Sequence, residues 1–233
     1  MEPTAMTYPT RAVDTMRSKK SCMFCGNSSL HSVVDLGMSP LCESYLVEER
    51  LNSMEPFFPL HVFVCDKCFL VQLEEYVSPA EIFSEYAYFS SFADSWVQHM
   101  KQYADQVIGR FGLNERSFIV EVASNDGYLL KHFVARRIPV LGIEPAANIA
   151  RVAIERGIPT LIKFFGVQTA QELAGKGRLA DLIAGANVLA QVPAINDFVG
   201  GLKILLASRG VITIEFPHLL RLIGEHQFDT IYH

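Results

Sequence analysis

Ser117–Phe133, SFIVEVASNDGYLLKHF, is the stretch whose reading decides the fold. Phe118-Ile119-Val120-Glu121-Val122 is a β-branched and aromatic run suited to a buried strand, and Ser124-Asn125-Asp126-Gly127 is a turn cluster with helix-capping chemistry. Tyr128, Leu129, Leu130, His132 and Phe133 then recur at helical spacing, so the unit reads as strand, tight loop and helix, with the helix starting at the turn. In an open parallel sheet, ligands settle in the crevice outside the strand carboxyl ends, where helix N-termini also offer unpaired N–H groups.

A dinucleotide site would place glycines here as G-x-G-x-x-G, because pyrophosphate must come very close to the backbone. Glu121 closes this strand instead, Ala123 and Asn125 stand at the contact positions, and only Gly127 is glycine. Seventeen residues after Gly127, Glu144 follows in PVLGIEP at the tip of a second strand. A carboxylate there can accept both hydroxyls of a ribose, which favours a nucleoside cofactor without pyrophosphate, S-adenosylmethionine (SAM), over a dinucleotide. The missing glycines count against a nicotinamide-dependent oxidoreductase. The plainer alternative leaves Glu121 and Glu144 as ordinary strand-end carboxylates.

Strand and helix alternate onward from this unit. Strands are expected at Val140–Ile143, Thr160–Ile162, Ala180–Asn187 and Gly210–Phe216, with helices at Ala146–Arg156, Gln168–Ala174 and Ile195–Ala207. Five such steps with short connections predict an α/β fold, a doubly wound parallel sheet. Asn187 and Gln191, at the tip of the fourth strand, would face the cofactor's sulfur across the switch point; the alternative for each is a polar cap on the next helix.

Toward the N-terminus, Cys22-Met-Phe-Cys25 and Cys65-Asp-Lys-Cys68 are separated by 39 residues. Two C-x-x-C knuckles supply four thiolates to one tetrahedral zinc, a structural site with no open position. The fifth cysteine, Cys42, is expected to be a small buried hydrophobe, and His61 a satisfied structural histidine. Short strands are expected at Val33–Gly37, Pro59–Val64 and Leu70–Leu73. Ser78-Pro79 then opens a helix, and an amphipathic helix from Ser95 to Phe111 ends at Gly112. Between these helices, Glu85–Phe92 holds four aromatics and two serines, fit either to line an acceptor cleft or to wedge two domains together. The expected organisation is a disordered leader over 1–20, a zinc-binding domain over 21–80, a helical connector with the aromatic segment over 81–112, and a cofactor domain over 113–233.

With 233 residues, half of them hydrophobic and 19% charged, the chain has ample apolar material for a core. A net charge of −5 without a basic stripe gives no nucleic-acid footprint. The apolar stretch Val211–Leu222 is broken by Glu215, Pro217 and His218, so no membrane span is expected. Arg11, Arg17, Lys19 and Lys20 precede no apolar segment of signal length, and the expected location is the cytoplasm.

With these residues in hand, the chain resembles the SAM-dependent sugar C-methyltransferases of deoxysugar and antibiotic biosynthesis. The resemblance is carried by the paired knuckles, LGMSPL (36–41), YAYFSSFADSW (86–96), EVASNDGYLL (121–130), LGIEPAANIA (141–150), KFFG (163–166), ANVLAQVP (186–193), IEFPHLL (214–220) and FDTIYH (228–233). It implies a class I (Rossmann-like) methyltransferase sheet behind a small zinc-binding domain, and methylation at C3 of a nucleotide-activated 4-keto-2,6-dideoxyhexose. The implied chemistry is removal of a proton next to the C4 ketone, followed by in-line attack of the resulting enolate carbon on the sulfonium methyl. Carried over residue by residue, Glu121, Ala123, Ser124, Asn125, Gly127, Glu144, Pro145, Asn148, Phe165 and Asn187 would hold SAM. Tyr86, Tyr232, His233 and Gln191 would address the sugar.

Two departures stand out. The family pattern after FDTI is Tyr-His-Glu-His, with the last histidine as base, whereas this sequence ends at Tyr232-His233. Gln191 occupies a position where the family tends to have histidine, and glutamine cannot titrate. A third domain of the family is not represented, and the fifth strand is expected to be an exposed edge prone to self-association. The expected outcome is weak SAM binding with little turnover, or a non-catalytic zinc- and SAM-binding scaffold that pairs with another chain.

Overall fold

A computed structural model describes residues 20–231. The leader expected at the N-terminus, and the candidate sugar-site residues Tyr232 and His233, lie outside the described residues apart from Lys20.

The first sheet is antiparallel, in the order β1 (Leu30–Ser39), β2 (Phe58–Cys65), β3 (Val71–Gln72). β1 runs longer than expected, because Met38 and Ser39 pair with Pro59 and Phe58 rather than forming a loop. Little of β1 is buried, so local pairing and the cysteine cluster at its foot, rather than a core, must order this sheet. His61 accepts or donates a 2.8 Å hydrogen bond with Ser32 and stacks on Phe63 at 4.1 Å, the satisfied histidine anticipated. Cys42 is half-buried rather than fully so, and desolvation, helped by Glu43, pushes its thiol up to about 11.

α1 (Pro79–Phe83) starts with proline inside a capping box: the Ser78 hydroxyl accepts the Glu81 N–H, and the Glu81 carboxylate accepts the Ser78 N–H at 3.1 Å. α2 (Asp94–Phe111) stops at Gly112, whose φ of 65° satisfies a C-terminal carbonyl in the left-handed conformation.

The second sheet is wholly parallel, in the order β6-β5-β4-β7-β8, from β4 (Ile119–Val122), β5 (Val140–Ile143), β6 (Thr160–Leu161), β7 (Ala180–Ala186) and β8 (Leu206–Glu215). The chain builds outward from central β4 in one direction, then crosses to β7 and β8 in the other. The switch point therefore lies between β4 and β7, as a doubly wound sheet requires. Every residue of β4 and β5 is buried. One face of the sheet packs on α2 and α3 (Leu130–Val134) through Met100, Ile119, Leu130, Phe133 and Leu182. The other packs on α5 (Val167–Ala174) and α6 (Ile195–Leu205) through Val120, Ile143, Leu173, Ile183 and Leu202. α4 (Ala147–Glu155) completes the crossover from β5 to β6.

Three boundaries differ from the sequence reading. Regular helix after β4 begins at Leu130, not at the turn, because two further turns intervene. α6 ends at Leu205 and runs straight into β8, whose register slips between Ala180 and Leu182 so that Leu206 as well as Val211 pairs with β7. A short helix, α7 (Leu219–Gly224), follows where no element was foreseen. Among the described residues β8 pairs only with β7, and no helix is long and apolar enough to cross a membrane.

The two modules touch. The side-chain amide of Asn196, in the first turn of α6, donates to the backbone carbonyl of Phe24 in the first knuckle at 2.8 Å.

Candidate metal centre and cofactor cleft

The two knuckles are built alike. In the first, Cys22 N–H donates to Asn27 carbonyl at 2.8 Å and Gly26 N–H to Cys22 carbonyl at 2.9 Å; in the second, Cys65 N–H donates to Leu70 carbonyl at 2.9 Å and Phe69 N–H to Cys65 carbonyl at 3.0 Å. Each loop closes with a left-handed residue, Gly26 at φ 72° and Phe69 at φ 62°. Left-handed backbone costs a side chain about 1–2 kcal/mol, so the second knuckle holds strain that glycine relieves in the first. The four sulfurs lie within 4.8 Å of one another, with Cys22–Cys68 at 3.5 Å and Cys25–Cys65 at 3.6 Å. Tetrahedral Zn–S bonds of about 2.3 Å place sulfurs about 3.8 Å apart, so this cluster fits zinc. Burial opposes the Cys65 thiolate, but N–H groups of Cys68 and Lys67 and the Asn27 amide outweigh it and bring the thiol down to about 6. An N–H from Leu70 favours the Cys68 thiolate, yet burial and the three neighbouring sulfurs push it up to about 12. Four thiolates cannot share this volume without a cation.

The cofactor cleft is built where β4 and β5 end side by side. After Val122 the chain curls through three left-handed residues in five, Ala123 at φ 57°, Asn125 at 48° and Gly127 at 79°. Such curvature turns the loop back over the strand ends. Position 127 favours glycine: its φ of 79° strains a side chain, and a Cβ there would stand 2.2 Å from Ile158 Cδ1, which would have to shift. Gly142 on β5 gives Ser124 its place, since a Cβ would lie 2.4 Å from Ser124 Oγ.

Glu144 is buried and accepts two backbone N–H groups, Asn125 at Oε2 and Ala146 at Oε1, each at 2.9 Å. Burial raises its carboxyl above the usual range, and these two donors pull the other way. Each oxygen retains lone-pair capacity, so a further pair of hydroxyl donors can be accommodated. Pro145 bridges Glu144 and Ala146 in the same turn.

Glu121 is fully buried, and apart from the neighbouring Tyr128 hydroxyl its carboxylate finds no hydrogen-bond donor among the described residues. Burial pushes its carboxyl well above the usual range; the Tyr128 hydroxyl favours the carboxylate, while Glu144 and Asp126 add repulsion. Ser124 Oγ and Asp126 Oδ1 are equally buried and have no hydrogen-bond partner among the described residues. Buried polar atoms are nearly always satisfied, so this cluster calls for a ligand that brings hydrogen-bond donors and positive charge.

Not every anticipated ligand faces the cleft with its side chain. Asn125 turns its amide toward the aromatic segment, accepting from Ser90 N–H at 2.8 Å and donating to Tyr88 carbonyl at 3.0 Å. Asn148, in α4, pairs with the Tyr86 backbone. Phe165 stacks edge-on against Phe198 at 5.4 Å in the core under α6. Asn187 is exposed at φ 53°, its N–H held by Glu215 carbonyl at 2.7 Å, and Gln191 lies half-buried in a single 3-10 turn after it.

Another polar group, not anticipated from the sequence, lies at the carboxyl ends of β7 and β8. α2 presents Trp96, His99 and Tyr103 on one face. His99 Nε2 meets Glu215 Oε2 at 3.2 Å, Tyr103 bonds Thr213, and Trp96 stacks on His99 at 5.3 Å. The period of Trp96, His99 and Tyr103 marks them as one face of the helix; only strand register places polar partners opposite.

Known proteins share parts of this arrangement. A family model described as "Putative zinc binding domain" matches residues 22–83. C-methyltransferase NovU of Streptomyces niveus is 36% identical over 220 residues, 94% of this chain and 52% of NovU. The chain is similar to this C-methyltransferase over nearly its whole length. It spans about half the length of this curated relative. Partial likenesses to solved structures include the PH0226 protein of Pyrococcus horikoshii OT3, at TM-score 0.48 and 11% identity over 62% of this chain and 64% of that one. Streptomyces venezuelae DesVI follows at TM-score 0.40 and 18% identity over 51% and 49%. The parallel sheet has the strand order 3-2-1-4-5, counted from its own first strand β4, and the four-cysteine cluster precedes it.

Proposed function

We propose that this chain binds SAM in the cleft beside Glu121, Asn125 and Glu144, and that it belongs to a system that C-methylates C3 of a nucleotide-activated 4-keto deoxysugar. The observation that carries the reading is the set of buried, undersatisfied acceptor atoms at the β4 loop, the Glu121 carboxylate, Ser124 Oγ and Asp126 Oδ1, next to a strand-tip carboxylate poised for hydroxyls. When bound, the cofactor supplies an electrophilic methyl. Glu144 accepts ribose hydroxyls, the left-handed loop at Ala123–Gly127 forms a wall of the cleft with its own N–H groups already engaged, and Glu121 faces the positive charge. Pro145 shares the Glu144 turn, whereas Phe165 packs in the core and Asn148 holds the Tyr86 backbone, so their part in the cleft is indirect. Tyr86 and Gln191 stand on the acceptor side, where an amide N–H of Gln191 can donate to an enolate oxygen but cannot shuttle a proton.

Equilibrium dialysis with labelled SAM tests the reading: saturable binding that Glu144→Ala abolishes supports it, and none at millimolar ligand defeats it. Methyl transfer to a nucleotide 4-keto deoxysugar, with product analysis at C3, tests the acceptor class.

A second reading, a scaffold that pairs with another chain or with itself, is favoured by edge strand β8 and the exposed Phe216, Leu220 and Ile223 beyond it. Light scattering after size exclusion decides it: a monomer at all concentrations argues against self-pairing.

A further inference from the structure

The extended segment between α1 and α2 is fastened to the cofactor cleft along one edge. Ser84 carbonyl accepts Ala147 N–H at 3.2 Å. Tyr86 exchanges two bonds with the Asn148 side chain, its N–H donating to Oδ1 at 3.2 Å and its carbonyl accepting from Nδ2 at 2.8 Å. Tyr88 carbonyl and Ser90 N–H are held by the Asn125 amide at 3.0 and 2.8 Å. The main-chain bonds fall on residues 84, 86, 88 and 90, the alternation of a strand edge, with two asparagine side chains standing in for a neighbouring strand. A third fastening lies at Ser91, whose hydroxyl donates to Asp126 Oδ2; Arg156 Nη1 reaches the same oxygen at 3.0 Å and Ser91 Oγ at 3.2 Å.

These asparagines occupy both halves of the cleft. Asn125 lies in the β4 loop with its own N–H on Glu144, and Asn148 lies in the first turn of α4, four residues beyond Glu144. A side-chain amide that both donates and accepts can bridge a backbone in this way; no other residue type at these positions offers the same pair at the same reach except a longer glutamine.

We infer that Asn125 and Asn148 are positioning residues that join the Tyr86–Ser91 segment to the cofactor loop as one mechanical unit, so that seating the cofactor also sets the aromatic wall on the acceptor side. The inference rests on the SAM reading for its ligand, but not for its mechanics. Ordering the loop around a ligand removes freedom from the segment as well, and a segment already ordered lowers the cost of acceptor binding. The aromatic segment is then part of the cofactor unit rather than a flexible connector.

Hydrogen exchange by mass spectrometry on the whole chain, unaltered and Asn148→Ala, with and without S-adenosylhomocysteine, reads this directly. Zinc content and thermal midpoint report folding; if the alanine variant fails to fold, Asn148→Asp, which keeps the acceptor and loses the donor, replaces it. Without ligand, the variant is expected to exchange about ten-fold faster over 84–91, with a smaller rise over 123–127 and none over 22–25 or 195–205. With ligand, both segments are expected to be protected in the unaltered chain, and only 123–127 in the variant. Protection of 123–127 alone in the unaltered chain, or equal protection of both segments in the variant, overturns the inference. If the ligand protects nothing, the SAM reading fails, and the ligand-free comparison decides: a rise at 84–91 transmitted to 123–127 upholds the unit, and an unchanged 123–127 overturns it.

Discussion

The buried carboxylate of Glu144 accepts the backbone N–H of Asn125 at 2.9 Å, which ties the tip of β5 to the loop after β4 across the centre of the sheet. Loop geometry therefore depends on this one side chain, and so would cofactor recognition on the reading proposed above. Glu144→Ala strands the N–H groups of Asn125 and Ala146, at about 1–3 kcal/mol for each buried donor that water cannot reach. Expected results are a lower urea midpoint and at least a ten-fold loss of SAM affinity, read by denaturation and dialysis on the same preparation. Glu144→Gln, which keeps one acceptor, should recover part of the stability and little of the affinity.

Glu121 sets a pH dependence. Its folded-state carboxyl titrates well above the ordinary value because burial disfavours the charge, so the folded chain holds a proton that the unfolded chain has released. The stability this proton contributes is complete below the ordinary carboxylate range and is lost as pH rises through the raised value. With zinc saturating, the thermal midpoint of the ligand-free chain should fall as pH rises above the ordinary carboxylate range, and Glu121→Gln should flatten that slope. An identical slope in the variant would assign the dependence to another group.

Chelation should act locally. Stripping zinc at neutral pH, or replacing Cys65 by serine, is expected to melt β1–β3 while leaving the parallel sheet folded, because that sheet has its own two-sided core. Metal analysis should give about one zinc per chain. A single calorimetric transition without metal, that of the parallel sheet, with added unfolding enthalpy when zinc is restored, is the expected record.

Arg156 neutralises a fully buried Asp126 from a side chain that is itself half-exposed. Arg156→Ala leaves that carboxylate with Ser91 as its remaining side-chain donor, and a cost of about 1–3 kcal/mol follows after allowance for solvent screening. Asp126→Asn in the same background should return part of the loss, since the buried charge is gone; additivity of the two substitutions would disprove the pairing.

Much of this architecture is legible in the sequence because hydrophobic period and spacing carry it. Val120 and Ile143 announce buried parallel strands, and two C-x-x-C pairs announce a four-sulfur cluster. Asn125 and Asn148 are less legible: polar residues at a strand tip suggest ligand contacts, whereas their amides bind backbone 37 and 62 residues away, at Tyr88 and Tyr86. The opening of β8 at Leu206 is hidden for another reason, since its Leu-Ala-Ser run continues the composition of α6 and only pairing with Ala180 decides for strand. His99 and Glu215 are 116 residues apart, and no local signal links them.

The bond from Asn196 to the Phe24 carbonyl has a practical corollary for anyone recombining such proteins. The metal-binding portion is not a detachable bead: its turn rests on the opening of α6, so a graft from a relative must carry a matching donor at that joint or accept a loosened hinge there.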